Sequence, residues 1–156
     1  MAGTPRPDSI PDVAGASILI VEARYHARIN DMLLEGARGL LERARCRQRT
    51  LTVPGALEIP AAIAFARDAG FAGFVALGCV IRGETTHYDL VAGDSCRGLV
   101  RLGMEGLAVG NGILTVENEA QAEERADPAR QDKGGHAALA ALALVRWRVD
   151  LRGSLL

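Results

Sequence analysis

The sequence predicts an α/β protein: a three-layer α/β/α sandwich, flavodoxin-like, around a four-stranded parallel sheet. Three observations carry that expectation. Short β-branched apolar runs alternate with helix-period stretches from Ser17 onward. The run Phe74-Val-Ala-Leu-Gly-Cys-Val-Ile81 is apolar throughout, as in a strand covered on both faces. The chain has 156 residues, 49% hydrophobic and 24% charged, which suits one domain with a real core and excludes disorder for most of its length.

Residues 1–16 hold Pro5, Pro7, Pro11, Asp8 and Asp12 and no apolar run. They read as a flexible N-terminal arm, neither a signal nor a transit peptide, leaving a single domain over 17–156. Ser17–Val21 is a buried strand. From 28 to 46, Leu33, Ala37, Leu40, Leu41 and Ala44 recur at helical spacing, with Arg38, Glu42, Arg43 and Arg45 outside. Arg47–Val53 is a second strand, stopped by Pro54-Gly55. Pro60 opens a helix to Asp68, where its missing N–H costs nothing, and Gly70 ends it. Phe74–Ile81 is the third strand and Arg82–His87 a polar loop. A helix with several glycines, a sign of close packing, runs from Tyr88 to about Leu107. Gly112–Val116 is the fourth strand, Glu119–Ala126 a short helix, and 127–133 a loop. A last helix starts near Gly135. Its stretch Ala137–Val145 has no polar residue, which points to a subunit interface, because a small domain rarely buries a helix all round.

A formal net charge of −1 excludes a global positive field that would draw nucleic acid or an anionic membrane. The apolar runs fall short of the roughly 20 residues that span a bilayer. Of 18 Lys and Arg residues only Lys133 is lysine, so lysine chemistry has one candidate. Cys46, Cys79 and Cys96 are odd in number and lack Cys-x-x-Cys spacing. They suggest no disulfide framework and no zinc site, and fit a reducing, cytoplasmic setting. No metal-ligand spacing and no glycine-rich nucleotide loop occurs, so neither metal nor cofactor is expected.

Ligands of open parallel sheets bind beyond the carboxyl ends of the strands. Four loops lie there: Glu22–His26, Pro54–Glu58, Arg82–His87, and Glu117-Asn118 leading to Arg125. In the third, Gly83 permits a tight turn and Glu84, Thr85 and Thr86 lead into a helix. Helix-start N–H groups beside hydroxyls make an anion cradle, and His87 sets a proton-transfer group next to it. A threonine cap with a surface histidine accounts for the same residues. Arg125 and Lys133 can neutralise a phosphate or stand as solvated charges. Tyr25 can stack on a flat ring or stand exposed at a strand end. Glu58 can bind ligand hydroxyls or be an exposed loop acid. His26 and His136 read as surface histidines.

Together these segments resemble the 6,7-dimethyl-8-ribityllumazine synthase family. The resemblance rests on Val53-Pro-Gly-Ala-Leu-Glu-Ile-Pro60 and Leu77-Gly-Cys-Val-Ile-Arg-Gly-Glu-Thr-Thr-His-Tyr-Asp89. It extends to Gly112-Ile-Leu-Thr-Val-Glu-Asn118 with Gln121-Ala122 and Arg125-Ala126, and to Lys133-Gly134. The segments stand in order between about residues 17 and 146.

The family implies a cofactor-free transferase of riboflavin biosynthesis. It condenses 5-amino-6-(D-ribitylamino)uracil with 3,4-dihydroxy-2-butanone 4-phosphate, releasing phosphate and water. By the same resemblance Tyr25 stacks on the pyrimidine, and Ala56, Leu57 and Glu58 hold the ribityl chain and ring. Cys79, Val80 and Ile81 line the heterocycle's slot, and Gly83, Glu84 and Thr85 form the phosphate loop. His87 transfers protons, and Arg125 binds phosphate from an adjacent subunit, with Lys133 nearby. The chain departs from the family at Asn111, against the ring, where several members carry an aromatic residue. His26 stands at a position that is Asn in some relatives, and Leu57 replaces a frequent aromatic. Members are pentamers with shared sites, and some close twelve pentamers into a sixty-subunit shell. The competing reading is a non-catalytic flavin or lumazine binder on the same scaffold, which has no use for a phosphate site beside a proton shuttle. A flavodoxin-like electron carrier would place its phosphate loop after the first strand.

Overall fold

The computed structural model of the protein describes residues 9–153. Among them, four strands form one parallel sheet: β1 (Ser17–Ala23), β2 (Arg47–Val53), β3 (Gly73–Ile81) and β4 (Val109–Val116), in the order β2-β1-β3-β4. Five helices connect and follow them: α1 (Ala27–Arg43), α2 (Ile59–Phe65), α3 (His87–Met104), α4 (Glu119–Ala126) and α5 (Lys133–Gly153). This is the expected three-layer sandwich. A parallel pair needs a crossover, and the helices supply it.

The sheet divides the core by the parity of its strands. Ile18, Ile20, Val75, Leu77, Leu114 and Val116 pack against α1, α4 and α5. Leu19, Val21, Phe74 and Ala76 pack against α2 and α3 with Ile59, Ile63, Leu99 and Leu102. The central strands β1 and β3 are buried on both faces over most of their length, hence their continuous apolar runs. The edges differ. β2 carries Arg47, Gln48, Arg49 and Thr50, and β4 leaves Asn111 and Thr115 exposed on its α3 side.

Several boundaries move from expectation. α2 ends at Phe65, because residues 66–70 turn before Gly70, whose φ is 87°. α5 begins at Lys133, two residues early. Asp132 caps it, its carboxylate accepting the Gly135 N–H at 3.0 Å. Of the stretch 1–16, residues 1–8 lie outside the described residues. Within 9–16, Ile10, Val13 and Ala16 pack on the core, and Arg146 donates to the Asp12 carbonyl at 3.2 Å.

The apolar run of α5 is mostly covered by this chain itself. Ala137, Ala138, Leu139, Ala141, Leu142 and Val145 are buried against α1, β3 and β4. The run alone is therefore no sign of an interface; its exposed apolar residues are Ala140 and Leu144, with Trp147, Val149 and Leu151 beyond it. Close approach makes this burial possible. A methyl group on Gly110 would land on the Ala137 carbonyl oxygen, and one on Gly134 on the Leu33 carbonyl oxygen. The α2–α3 face is the more open side, with Phe65, Leu90, Val100 and Met104 all exposed.

Cys79 sits on β3 facing the α1 layer. Burial, with a smaller contribution from Glu119, pushes its thiol up to about 11.

Two expectations follow from this packing. Gly110→Ala and Gly134→Ala should each lower unfolding stability in urea by about 1–3 kcal/mol or more, since backbone cannot yield to the new methyl. Gly103→Ala, with open space at its α3 position, should raise it by about 0.5–1 kcal/mol. For Cys79, the neutral thiol is favoured by the fold. Its contribution is present below the free-thiol value near 9 and is lost as the pH climbs toward 11. The melting temperature should therefore fall across that window less steeply in Cys79→Ala than in the unaltered protein.

Candidate active site

The strand order creates a crevice. From β1 the chain passes over α1 on one face to β2. From β3 it passes over α3 on the opposite face to β4. The loops leaving the adjacent strands β1 and β3 therefore diverge, and ligands bind where such loops part. A cavity of about 450 Å³ opens at that end, a size suited to a small substrate.

Segments from three strand ends line it. The β1–α1 turn brings Tyr25 and His26, whose rings meet edge to face with centroids 5.1 Å apart. The β2–α2 loop brings Gly55 and the short 3₁₀ turn Ala56-Leu57-Glu58. The end of β3 brings Cys79, Val80 and Ile81. Beyond it, Gly83, Thr85, His87, Tyr88 and Val91 close the far side.

The β3–α3 loop is exposed but braced. The His87 N–H donates to Thr85 Oγ1 at 3.3 Å, and the Asp89 N–H to the Thr86 carbonyl at 3.1 Å. Thr85, rather than Thr86, thus serves the helix start. Arg82 Nε donates to both Glu117 carboxylate oxygens, at 3.0 and 3.1 Å, and the guanidinium lies 4.2 Å over the Tyr88 ring. That tie pins the loop to the one after β4. The Glu117 hydrogen bond first, with the charges of Glu117, Asp89 and Tyr88, holds the Arg82 proton still more firmly, against an opposing effect of burial. Thr85, His87 and Tyr88, at the start of α3, occupy one stretch of wall. The positive end of the helix dipole there suits an anion.

Of the residues expected from sequence, Tyr25, Ala56, Leu57, Glu58, Cys79, Val80, Ile81, Gly83, Thr85 and His87 are gathered around this cavity. Glu84 stands on the same loop but outside the lining. Asn111, Arg125 and Lys133 are not brought to it. Asn111 is exposed on the edge strand β4, its side-chain oxygen accepting the Ile113 N–H at 2.9 Å. Arg125 is half-buried on α4 and donates to the Gln121 carbonyl at 3.1 Å. Lys133 is half-buried at the start of α5.

The surface reading of two histidines needs correction. His26 is half-buried against Tyr25 and lines the cavity; His136 is half-buried at the start of α5. Sequence reasoning also passed over Gly55, Tyr88 and Val91. Their signal was adjacency: each lies within a segment already singled out or one helical turn beyond it.

Among the described residues there is no group of three or more His, Cys, Asp or Glu that could hold a metal ion. No helix among them is long and apolar enough to cross a membrane.

Comparison with known proteins agrees with this geometry. The model of one protein family, described as 6,7-dimethyl-8-ribityllumazine synthase, matches residues 15–148. A protein of that name from Erythrobacter litoralis is 61% identical over 132 residues, 84% of this chain and 94% of its own. Its namesake from Sphingopyxis alaskensis is 59% identical over 83% of this chain and 93% of its own. The one from Novosphingobium aromaticivorans is 58% identical over 85% and 96%. Likeness of this degree, with the family model matched over residues 15–148, means that the chain belongs to the 6,7-dimethyl-8-ribityllumazine synthase family.

Proposed function

We propose that the chain is a transferase that condenses 5-amino-6-(D-ribitylamino)uracil with 3,4-dihydroxy-2-butanone 4-phosphate to 6,7-dimethyl-8-ribityllumazine, in the cytoplasm. One observation carries the reading. Loops from three strand ends, far apart in sequence, line a single cavity of about 450 Å³ that reaches from Tyr25 to the start of α3.

The parts divide as the chemistry requires. Tyr25 covers the pyrimidine face, while Ala56, Leu57 and Glu58 hold the ribityl hydroxyls and ring edge. Cys79, Val80 and Ile81 form the slot's floor. Gly83 and Thr85, at the positive end of the α3 dipole, take the phosphate, with Glu84 on the same loop. The substrate's own amine attacks the ketone, and imine formation expels water. The carbon skeleton then loses phosphate, and ring closure expels a second water. Protons must leave nitrogen and carbon and reach departing oxygens, which is the work of His87 at the phosphate end. No lysine is needed, because the imine nitrogen belongs to the substrate.

Arg125, Lys133 and Asn111 lie off this cavity. We assign them to the site of a neighbouring subunit in a pentamer, which some relatives build further into a shell. The open α2–α3 face, with Phe65, Leu90, Val100 and Met104 exposed, supports such an assembly.

Mixing the purified protein with both substrates and following the lumazine absorbance, corrected for the spontaneous reaction, should reveal enzyme-dependent product. No acceleration by folded protein would leave the binder reading instead. His87→Ala should lower kcat by about 10²–10⁴-fold. Arg125→Ala should chiefly raise KM for the phosphate substrate, by about 10-fold, as loss of one charge-assisted contact does. Co-refolding the two variants together should recover activity that neither has alone; no recovery would place Arg125 in its own chain's site or outside any.

A further inference from the structure

We propose that Glu22 is a positioning residue that sets the ring-facing wall of the cavity, acting through Arg24 and Thr52 without touching substrate; the proposal rests on the condensation reading above. Glu22 is 3% exposed and is not among the cavity's lining residues. It occupies the β1 face that Ile18 and Ile20 fill with hydrocarbon. A carboxylate in such a place is costly unless it is fully hydrogen-bonded.

It is hydrogen-bonded from three sides. One oxygen accepts from Arg24 Nη1 at 3.0 Å and from Asn30 Nδ2 at 2.7 Å. The other accepts from Thr52 Oγ1 at 2.9 Å and from Arg24 Nη1 at 3.3 Å. Each donor belongs to a different element. Arg24 immediately precedes Tyr25 and His26. Its other nitrogen reaches Asp31 on α1 and the Ala27 carbonyl. One guanidinium thus clasps the two ends of the turn that carries both cavity rings. Thr52 is the β2 register partner of Glu22 and stands three residues before Gly55, where the second lining segment begins. A single carboxylate therefore fixes the spacing between the Tyr25 turn and the Gly55–Glu58 loop.

Tyr25 needs such a device. It is 83% exposed and its ring contact is the edge of His26, so little packing holds it. Asn30 turns its donor, rather than its acceptor, toward Glu22. Its amide gives Nδ2 to Glu22 and leaves its own buried oxygen without a donor. A neutral amide at position 22 would invite the opposite orientation.

That asymmetry supplies a variant expected to fold. In Glu22→Gln the Asn30 amide can turn and accept from the new amide, while the neutral oxygen no longer holds Arg24 against the pull of Asp31. KM for the uracil substrate should rise about 5- to 10-fold, with kcat and KM for the phosphate substrate within about 2-fold, since misplacing a binding group costs binding of that partner. Thr52→Val should move the same constant in the same direction, and Thr52→Ser should restore it. Hydrogen exchange over residues 23–30 should quicken in Glu22→Gln. Unchanged uracil KM in both Glu22→Gln and Thr52→Val overturns the proposal. So does a loss shared equally by both substrates, which would mark a general structural defect. An unaltered protein that does not condense removes the proposed reaction and this role with it; variants matching an active parent remove the role alone.

Discussion

The structure depends on how closely the backbone of α5 approaches α1 and β4. Helix axes normally stand 8–10 Å apart because side chains keep them there. Here Gly134 and Gly135 on α5 meet Leu33 and Asp132, Gly36 on α1 meets Asp132, and Gly110 on β4 meets the Ala137 carbonyl. The missing side chains of Gly110 and Gly134 allow direct backbone contact, and those of Gly36 and Gly135 leave room for the Asp132 carboxylate. The Ala-rich composition of α5 goes with the same close approach, since Ala137, Ala138 and Ala141 are buried along it. This seam fixes β4, and through β4 the loop whose Glu117 receives Arg82. The position of the β3–α3 loop is thus set by packing at the far side of the sheet.

The cavity shows a division between what the sheet supplies and what it leaves open. Hydrophobic burial places the strand ends. It cannot orient the exposed groups beyond them, and polar ties do that instead. Arg82 braces the loop before His87, and Arg24 braces the turn holding Tyr25. Both are arginines, whose planar fork can hold two partners at once, a task a lysine ammonium does poorly. The near absence of lysine fits a chain that uses its cations as struts.

The strands β1 and β3 were legible because their signals are local and strong, continuous apolar runs on strands buried on both faces. The grouping of ten site residues was legible because parallel sheets put their loops at one end. Other features were not. Glu22 is a charge inside a strand, and only three-dimensional contacts show that Arg24, Asn30 and Thr52 surround it. The burial of α5 depended on glycines on other elements, which no hydrophobic pattern of α5 records. Arg125 and Asn111 carry site-like chemistry in sequence, but their distance from the cavity depends on topology. His26 looked like a surface residue because its partner, Tyr25, is its neighbour in the chain and its burial comes from the cavity wall.

The polar edge at β2 has a consequence for ordered aggregation. β3 is nine residues of nearly pure hydrocarbon, the kind of segment that stacks into cross-β fibrils once its edges are free. In the intact sheet β1 and β4 cover both of its edges, while the outer edge offered at β2 bears Arg47 and Arg49, which repel a second copy. Losing β2 would uncover only β1. Losing β4 would uncover β3 directly. The glycine seam that holds β4 under α5 is therefore also the lock on the chain's most fibril-prone segment, and the order in which strands leave the sheet decides whether partial opening is harmless.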